Sequence, residues 1–124
     1  MMHIYESAED YLESVLMLQE KHGYVRSIDI ANELNFSKPS VSIAMKKLRE
    51  NGYIEMDASN LITLTPEGRA IAERIYERHR ILTSLLLALG VSEEHARTDA
   101  CHIEHDLSDE SWEKIKAYAH KLGL

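Results

Sequence analysis

The sequence predicts a mainly α-helical chain with one small two-stranded hairpin. Three observations carry that expectation. Apolar residues recur at helical spacing through most of the chain. Ser27, Ser37, Thr65, Ser92 and Ser108 each stand where a helix N-cap belongs. Only two runs, 53–56 and 61–64, read as strands, and they flank the turn-forming Asp57-Ala58-Ser59-Asn60.

The totals set bounds. At 124 residues the chain suits one domain, or a compact domain with a small appendage, and can bury a real core. Its longest apolar run, Leu85 to Leu89, is far too short to span a membrane. Residues 2–22 carry acids throughout and lack the apolar stretch of a signal peptide. Its single cysteine excludes an internal disulfide framework. A cytoplasmic protein is the simplest reading.

Charge is unevenly spread. The overall −7 argues against a general nucleic-acid binder. Residues 1–22 carry a net −4 and residues 93–113 a net −7, whereas residues 24–52 carry +2. A basic module between two acidic ones suggests different partners for different parts of the chain.

Taken in order, residues 4–21 predict a first helix with Ile4, Ala8, Tyr11, Leu12, Val15 and Leu18 inward and Gly23 as its stop. Asp10 and Glu13 sit on the flank of that stripe, where acids are commonly solvated. Residues 27–35 predict a short helix with Ser27 as N-cap and Ile30, Ala31 and Leu34 inward. After Asn35-Phe36-Ser37 comes a helix over 38–51, with Val41, Ala44, Met45 and Leu48 buried and Pro39 in its first turn. Its outer face is small, polar and basic: Pro39, Ser42, Ile43 and Lys46, with Ser40 and Lys47 to one side.

Two short helices joined by a tight turn fit a helix-turn-helix, or else an ordinary helical hairpin. The following hairpin favours the first, because three helices and a hairpin are the order of a winged helix. Leu64-Thr65-Pro66-Glu67-Gly68 then opens a new helix, with Thr65 as N-cap and Pro66 at N1. This run resembles winged-helix bacterial repressors. Small side chains would let the second helix approach base edges, and its lysines would reach phosphates. The candidate DNA-contacting residues are Arg26, Ser37, Lys38, Pro39, Ser40, Ser42, Lys46 and Lys47. The wing tip, Ala58-Ser59-Asn60, carries no basic residue.

The helix from Pro66 to about Leu89 would be roughly 35 Å long at 1.5 Å per residue. Its first half is basic and its second half nearly all apolar. Such an end must be covered on most sides, which predicts a homodimer seam. Ser92 caps a helix expected to reach His105, and Ser108 caps a last helix carrying Trp112, Ile115, Tyr118, Ala119 and Leu122.

The stretch Cys101-His102-Ile103-Glu104-His105 concentrates chemistry. In a helix, Cys101, Glu104 and His105 stand at i, i+3 and i+4, so a thiolate, a carboxylate and an imidazole share a face. Taken singly, Cys101 reads as a small buried hydrophobe and His79, between Arg78 and Arg80, as a surface histidine. Hydrolytic chemistry has little support. The paired histidines of a zincin helix are missing, and the cysteine shares its face with an acid and a histidine. No enzyme is expected.

The whole chain resembles the diphtheria toxin repressor and manganese transport regulator (MntR) family of metal-dependent bacterial repressors, in its short form without an SH3-like extension. The likeness rests on Glu9-Asp10-Tyr11-Leu12-x-Ser14, the winged helix, Arg78-His79-Arg80, and Cys101-x-x-Glu104-His105 followed by Leu107-Ser108. It implies a winged helix-turn-helix DNA-binding domain over 1–65 and a helical metal-binding and dimerisation domain over 66–124. Its carried-over ligand set is Asp10, Glu13, His79, Cys101, Glu104 and His105. Short manganese members have a glutamate where this chain has Cys101. Iron members have that cysteine but a methionine where this chain has Asp10. Four carboxylates and two histidines would suit Mn2+, and one thiolate shifts preference toward Fe2+, Co2+ or Zn2+. Cys101 would enter through its sulfur or through its backbone carbonyl.

The implied function is a repressor of metal-uptake genes, with Mn2+ or Fe2+ as co-repressor, a DNA operator as partner and a homodimer as the working state. Three carboxylates in one place repel until a cation reverses the sign of the interaction. The rival reading is a metal-independent winged-helix regulator that answers to a protein or a small molecule.

Overall fold

The computed structural model describes residues 6–124. The expectation for Ile4, and the start of the first helix at residue 4, lie outside the described residues. The described chain holds six helices and a two-stranded sheet: α1 Glu6–His22, α2 Ser27–Leu34, α3 Lys38–Glu50, β1 Ile54–Met56, β2 Ile62–Leu64, α4 Pro66–Ala88, α5 Glu93–Ile103 and α6 Asp109–Lys121. It divides into two compact units, up to Glu73 and from Arg74 onward, with the division inside α4.

In the first unit, α1 packs on α2 and β2, and α3 packs on α2 and β1. Tyr11, Leu12, Val15, Leu16 and Leu18 of α1 join Ile30, Val41, Met45, Leu48, Ile54 and Ile62 in the core. Tyr11 lies edge-on to Phe36 at 5.8 Å between centroids, and burial pushes its phenol up from its ordinary pKa. Glu13 is only 8% exposed, so it is not solvated as acids on helix flanks commonly are.

The turn between α2 and α3 forms because Asn35 adopts the left-handed conformation, with φ 58°. That lets Phe36 N–H reach the Ala31 carbonyl at 3.0 Å and close the helix end. Ser27 is not the cap of α2. Arg26 is the N-cap, and Asp29 Oδ2 accepts its backbone N–H at 2.9 Å. Ser37 caps α3 as expected, accepting from Ser40 N–H at 3.3 Å.

The hairpin pairs Ile54 with Leu64, Glu55 with Thr63 and Met56 with Ile62. Ile54 and Ile62 turn inward while Glu55 and Thr63 face solvent, as the two-residue period requires. Asp57 Oδ1 organises the tip by accepting from Ser59 and Leu61 N–H at 2.8 and 3.0 Å. Val25 extends the sheet by one bond, its carbonyl accepting from Ile62 N–H at 2.8 Å.

Thr65 joins the wing to α4. Its hydroxyl donates to the Gly52 carbonyl at 2.6 Å and accepts from Gly68 N–H at 3.1 Å. Its N–H donates to the Tyr53 carbonyl at 3.1 Å. Gly68 comes so close to that carbonyl that an added Cβ would lie 1.9 Å from its oxygen.

In the second unit, Ile81 and Leu82 of α4 pack with Ala100 of α5 and with Trp112 and Ala119 of α6. Gly90, with φ +99°, ends the preceding helix as expected, and Val91 N–H reaches the Leu86 carbonyl at 3.0 Å. Ser92 and Ser108 cap α5 and α6 through their hydroxyls. Lys116 Nζ meets Glu77 Oε1 at 2.7 Å, and this hydrogen bond raises the Lys116 pKa. The pair therefore persists until pH climbs beyond the ordinary lysine range.

Candidate metal centre

The helix carrying Cys101 stops earlier than its spacing suggested. α5 ends at Ile103, and Glu104 is its C-cap, keeping one helical bond to the Ala100 carbonyl at 3.0 Å. His105 lies in the turn that follows, closed by Asp106 N–H on the Ile103 carbonyl at 2.9 Å. Cys101 Sγ and a Glu104 carboxylate oxygen still lie within 4.8 Å of each other, as their spacing predicts, while His105 lies beyond the end of the helix. Cys101 is exposed and Glu104 is fully buried, so the reading of Cys101 as a small buried hydrophobe does not hold.

The second unit gathers its donors around Glu104. The Glu104 carboxylate is 0% exposed and flanked by two imidazoles. His79 Nδ1 from α4 lies 3.0 Å from its Oε2, and His105 Nε2 lies 3.4 Å from its Oε1. A buried carboxylate is costly unless it is paired or coordinates a cation. When Nδ1 of His79 donates to Glu104, Nε2 is left carrying the lone pair, the arrangement by which carboxylates orient metal-binding histidines. These donors fit a divalent transition metal.

In the first unit, Asp10 and Glu13 lie one turn apart on α1, Asp10 half-buried and Glu13 buried. Burial of one member of this pair is not what a solvated helix flank would show.

The α2–α3 surface is open. Arg26, Ser37, Lys38, Pro39, Ser40, Ser42, Lys46 and Lys47 are all exposed, as is Ile43 on the outer face of α3. Ser37 and Ser40 meet each other, Oγ to Oγ at 2.8 Å. The remaining polar groups face outward on a helix whose opposite side is core.

One residue of the second unit was not legible beforehand. Arg78 is buried, although it belongs to the basic first half of α4. Its place in Arg78-His79-Arg80 was the only available signal, since burial does not show in charge.

Comparison with known proteins identifies the family. Residues 3–59 match the family model described as iron dependent repressor, N-terminal DNA binding domain, and residues 65–123 match iron dependent repressor, metal binding and dimerisation domain. The chain belongs to the iron-dependent repressor family. Its members are metal-dependent, DNA-binding transcriptional repressors rather than enzymes. The chain is 38% identical over 121 residues to the transcriptional regulator MntR of Salmonella typhimurium, covering 98% of this chain and 77% of that protein. A solved manganese-dependent transcriptional repressor in complex with manganese matches with a TM-score of 0.81 and 30% identity, over 91% of this chain and 52% of that one. ScaR with bound Zn2+ matches with a TM-score of 0.72 and 29% identity, over 90% of this chain and 52% of that one. The chain thus spans about half the length of these solved structures. Among the described residues, no helix is long and apolar enough to cross a membrane.

Proposed function

We propose that this repressor takes a divalent metal, Mn2+ or Fe2+ with Co2+ and Zn2+ as weaker candidates, through Asp10, Glu13, His79, Cys101, Glu104 and His105. The observation that carries this reading is the fully buried Glu104 carboxylate between His79 and His105. A metal-independent regulator gives no reason to bury such a group. Residues 1–65 serve as the DNA-binding domain and 66–124 as the dimerisation and metal-binding domain, acting as a cytoplasmic homodimer on a DNA operator. The exposed Leu87, Leu89, Tyr118 and Leu122 support a covering partner of the same kind, since apolar side chains at these helix ends would otherwise stay wet.

A bound cation supplies the positive charge that lets several carboxylates occupy one place. The chain's own part is to supply Asp10 and Glu13 from α1, His79 from α4, Cys101 from α5, and Glu104 and His105 from the end of that helix and the turn after it. α1 packs on α2 and β2, so a fixed α1 also fixes the helix-turn-helix. Two recognition helices of a dimer must match half-sites roughly 34 Å apart, or a multiple of it. Metal-dependent repression is then a shift of population toward that spacing.

Operator-binding titrations with Mn2+, Fe2+, Co2+ and Zn2+, in parallel and without oxygen, test the reading. Binding that tightens with one or more of these ions supports it, and operator affinity indifferent to all four overturns it. Cys101→Glu is expected to move preference toward Mn2+, because it replaces a soft donor with a hard one. Unchanged relative affinities for Mn2+ and Fe2+ would show that the sulfur is not a ligand. Lys46→Ala is expected to weaken operator binding and to lower the slope of log affinity against log salt by about one. An unchanged slope would remove Lys46 from the phosphate contacts.

A further inference from the structure

Arg78 is a buried cation whose contacts are almost all with one downstream segment. It is 6% exposed. Nη1 donates to the carbonyl oxygens of Glu104 at 3.2 Å and Leu107 at 3.3 Å. Nη2 donates to Asp109 Oδ1 at 3.1 Å, and the guanidinium carbon lies 5.4 Å from the Trp112 ring centre. These partners span the turn after α5 and the first residues of α6.

Burying a guanidinium costs several kcal/mol in lost hydration. What it meets here is the carboxyl end of α5, where carbonyls lack helical partners and the macrodipole is negative. Its neighbour on α4, His79, takes the side chain of the same Glu104 whose carbonyl Arg78 takes. Two successive residues of one helix therefore hold Glu104 by its main chain and by its carboxylate.

We propose that Arg78 is a positioning residue: it holds the Glu104–Leu107 turn in the conformation that presents Glu104 and His105, and so sets metal affinity without touching the metal. This rests on the metal reading above. The planar fork of arginine matters because two separate nitrogens, Nη1 and Nη2, serve its acceptors, whereas a lysine offers a single ammonium.

The test uses the full chain carrying Arg78→Lys, with Asp109→Ala as a second variant. The Asp109 side chain is 95% exposed, so its loss leaves the core intact. Two quantities are measured: amide hydrogen exchange over 104–107 without metal, and Mn2+ affinity by calorimetry. Arg78→Lys is expected to speed exchange in that turn, leave α1–α3 unchanged, and weaken Mn2+ binding on the order of 10–100-fold. Asp109→Ala is expected to move both quantities the same way by a smaller factor. Faster exchange with Mn2+ affinity within about twofold of wild type would make Arg78 merely structural and overturn the proposal, as would unchanged exchange in both variants. Wild-type protein without saturable Mn2+ binding would fail the metal reading and this proposal together. Wild-type binding matched by Arg78→Lys would fail this proposal alone.

Discussion

Glu104→Gln is expected to abolish saturable Mn2+ binding and, with it, metal-dependent operator binding, while the helical content of the chain stays unchanged. The loss should exceed the roughly 10–100-fold that removing a supporting partner of a ligand costs. Gln has nearly the same shape and keeps an acceptor for His79 Nδ1–H, so the 3.0 Å contact can survive. It removes a charge from a fully buried position, which relieves desolvation. The metal-free variant should therefore differ from wild type by only about 1 kcal/mol in unfolding free energy. Loss of binding at near-constant stability separates a ligand from a structural acid. His105→Ala should give the same loss. A full Mn2+ response in Glu104→Gln, read by calorimetry and by operator gel shift, would take Glu104 out of the site.

Gly68→Ala is expected to destabilise the first unit by about 3 kcal/mol, at the upper end of what overpacking costs. Helix propensity alone predicts the opposite, a gain of roughly 1 kcal/mol, because alanine is the better helix former. The structure decides the sign. A Cβ at residue 68 would sit 1.9 Å from the Tyr53 carbonyl oxygen, and backbone cannot move aside as a flexible side chain can. The same carbonyl accepts from Thr65 N–H, so retreat also loosens the junction of wing and α4. Urea unfolding followed by circular dichroism measures the change. A variant as stable as wild type would mean that α4 can shift along the hairpin at little cost.

Much of the fold was legible because its signals are local. The stripe Leu12, Val15 and Leu18, the inward set Val41, Met45 and Leu48, and the caps Ser37, Ser92 and Ser108 each depend on residues within a turn of one another. Helix ends were less legible where two signals compete. Ser27 looked like a cap, but Asp29 reaches the N–H of Arg26 and moves the cap back by one residue. α5 was expected to reach His105, yet it ends at Ile103. No glycine or proline marks that end. The carbonyls of Glu104 and Leu107 are taken instead by Arg78, which comes from another helix.

By itself the sequence determined the order of elements, the basic outer face of α3 and the residue types able to hold a metal, since periodicity, capping and ligand chemistry are written in neighbouring residues. Only the tertiary structure decided which of those residues are buried and what they meet. Glu13 and Arg78 are buried, and Cys101 is exposed. The tertiary structure also put the Glu104 carboxylate between two imidazoles, one from α4 and one from the turn after α5. The physical reason is that the cost of burying a charge depends on partners distant in sequence, which no local pattern records.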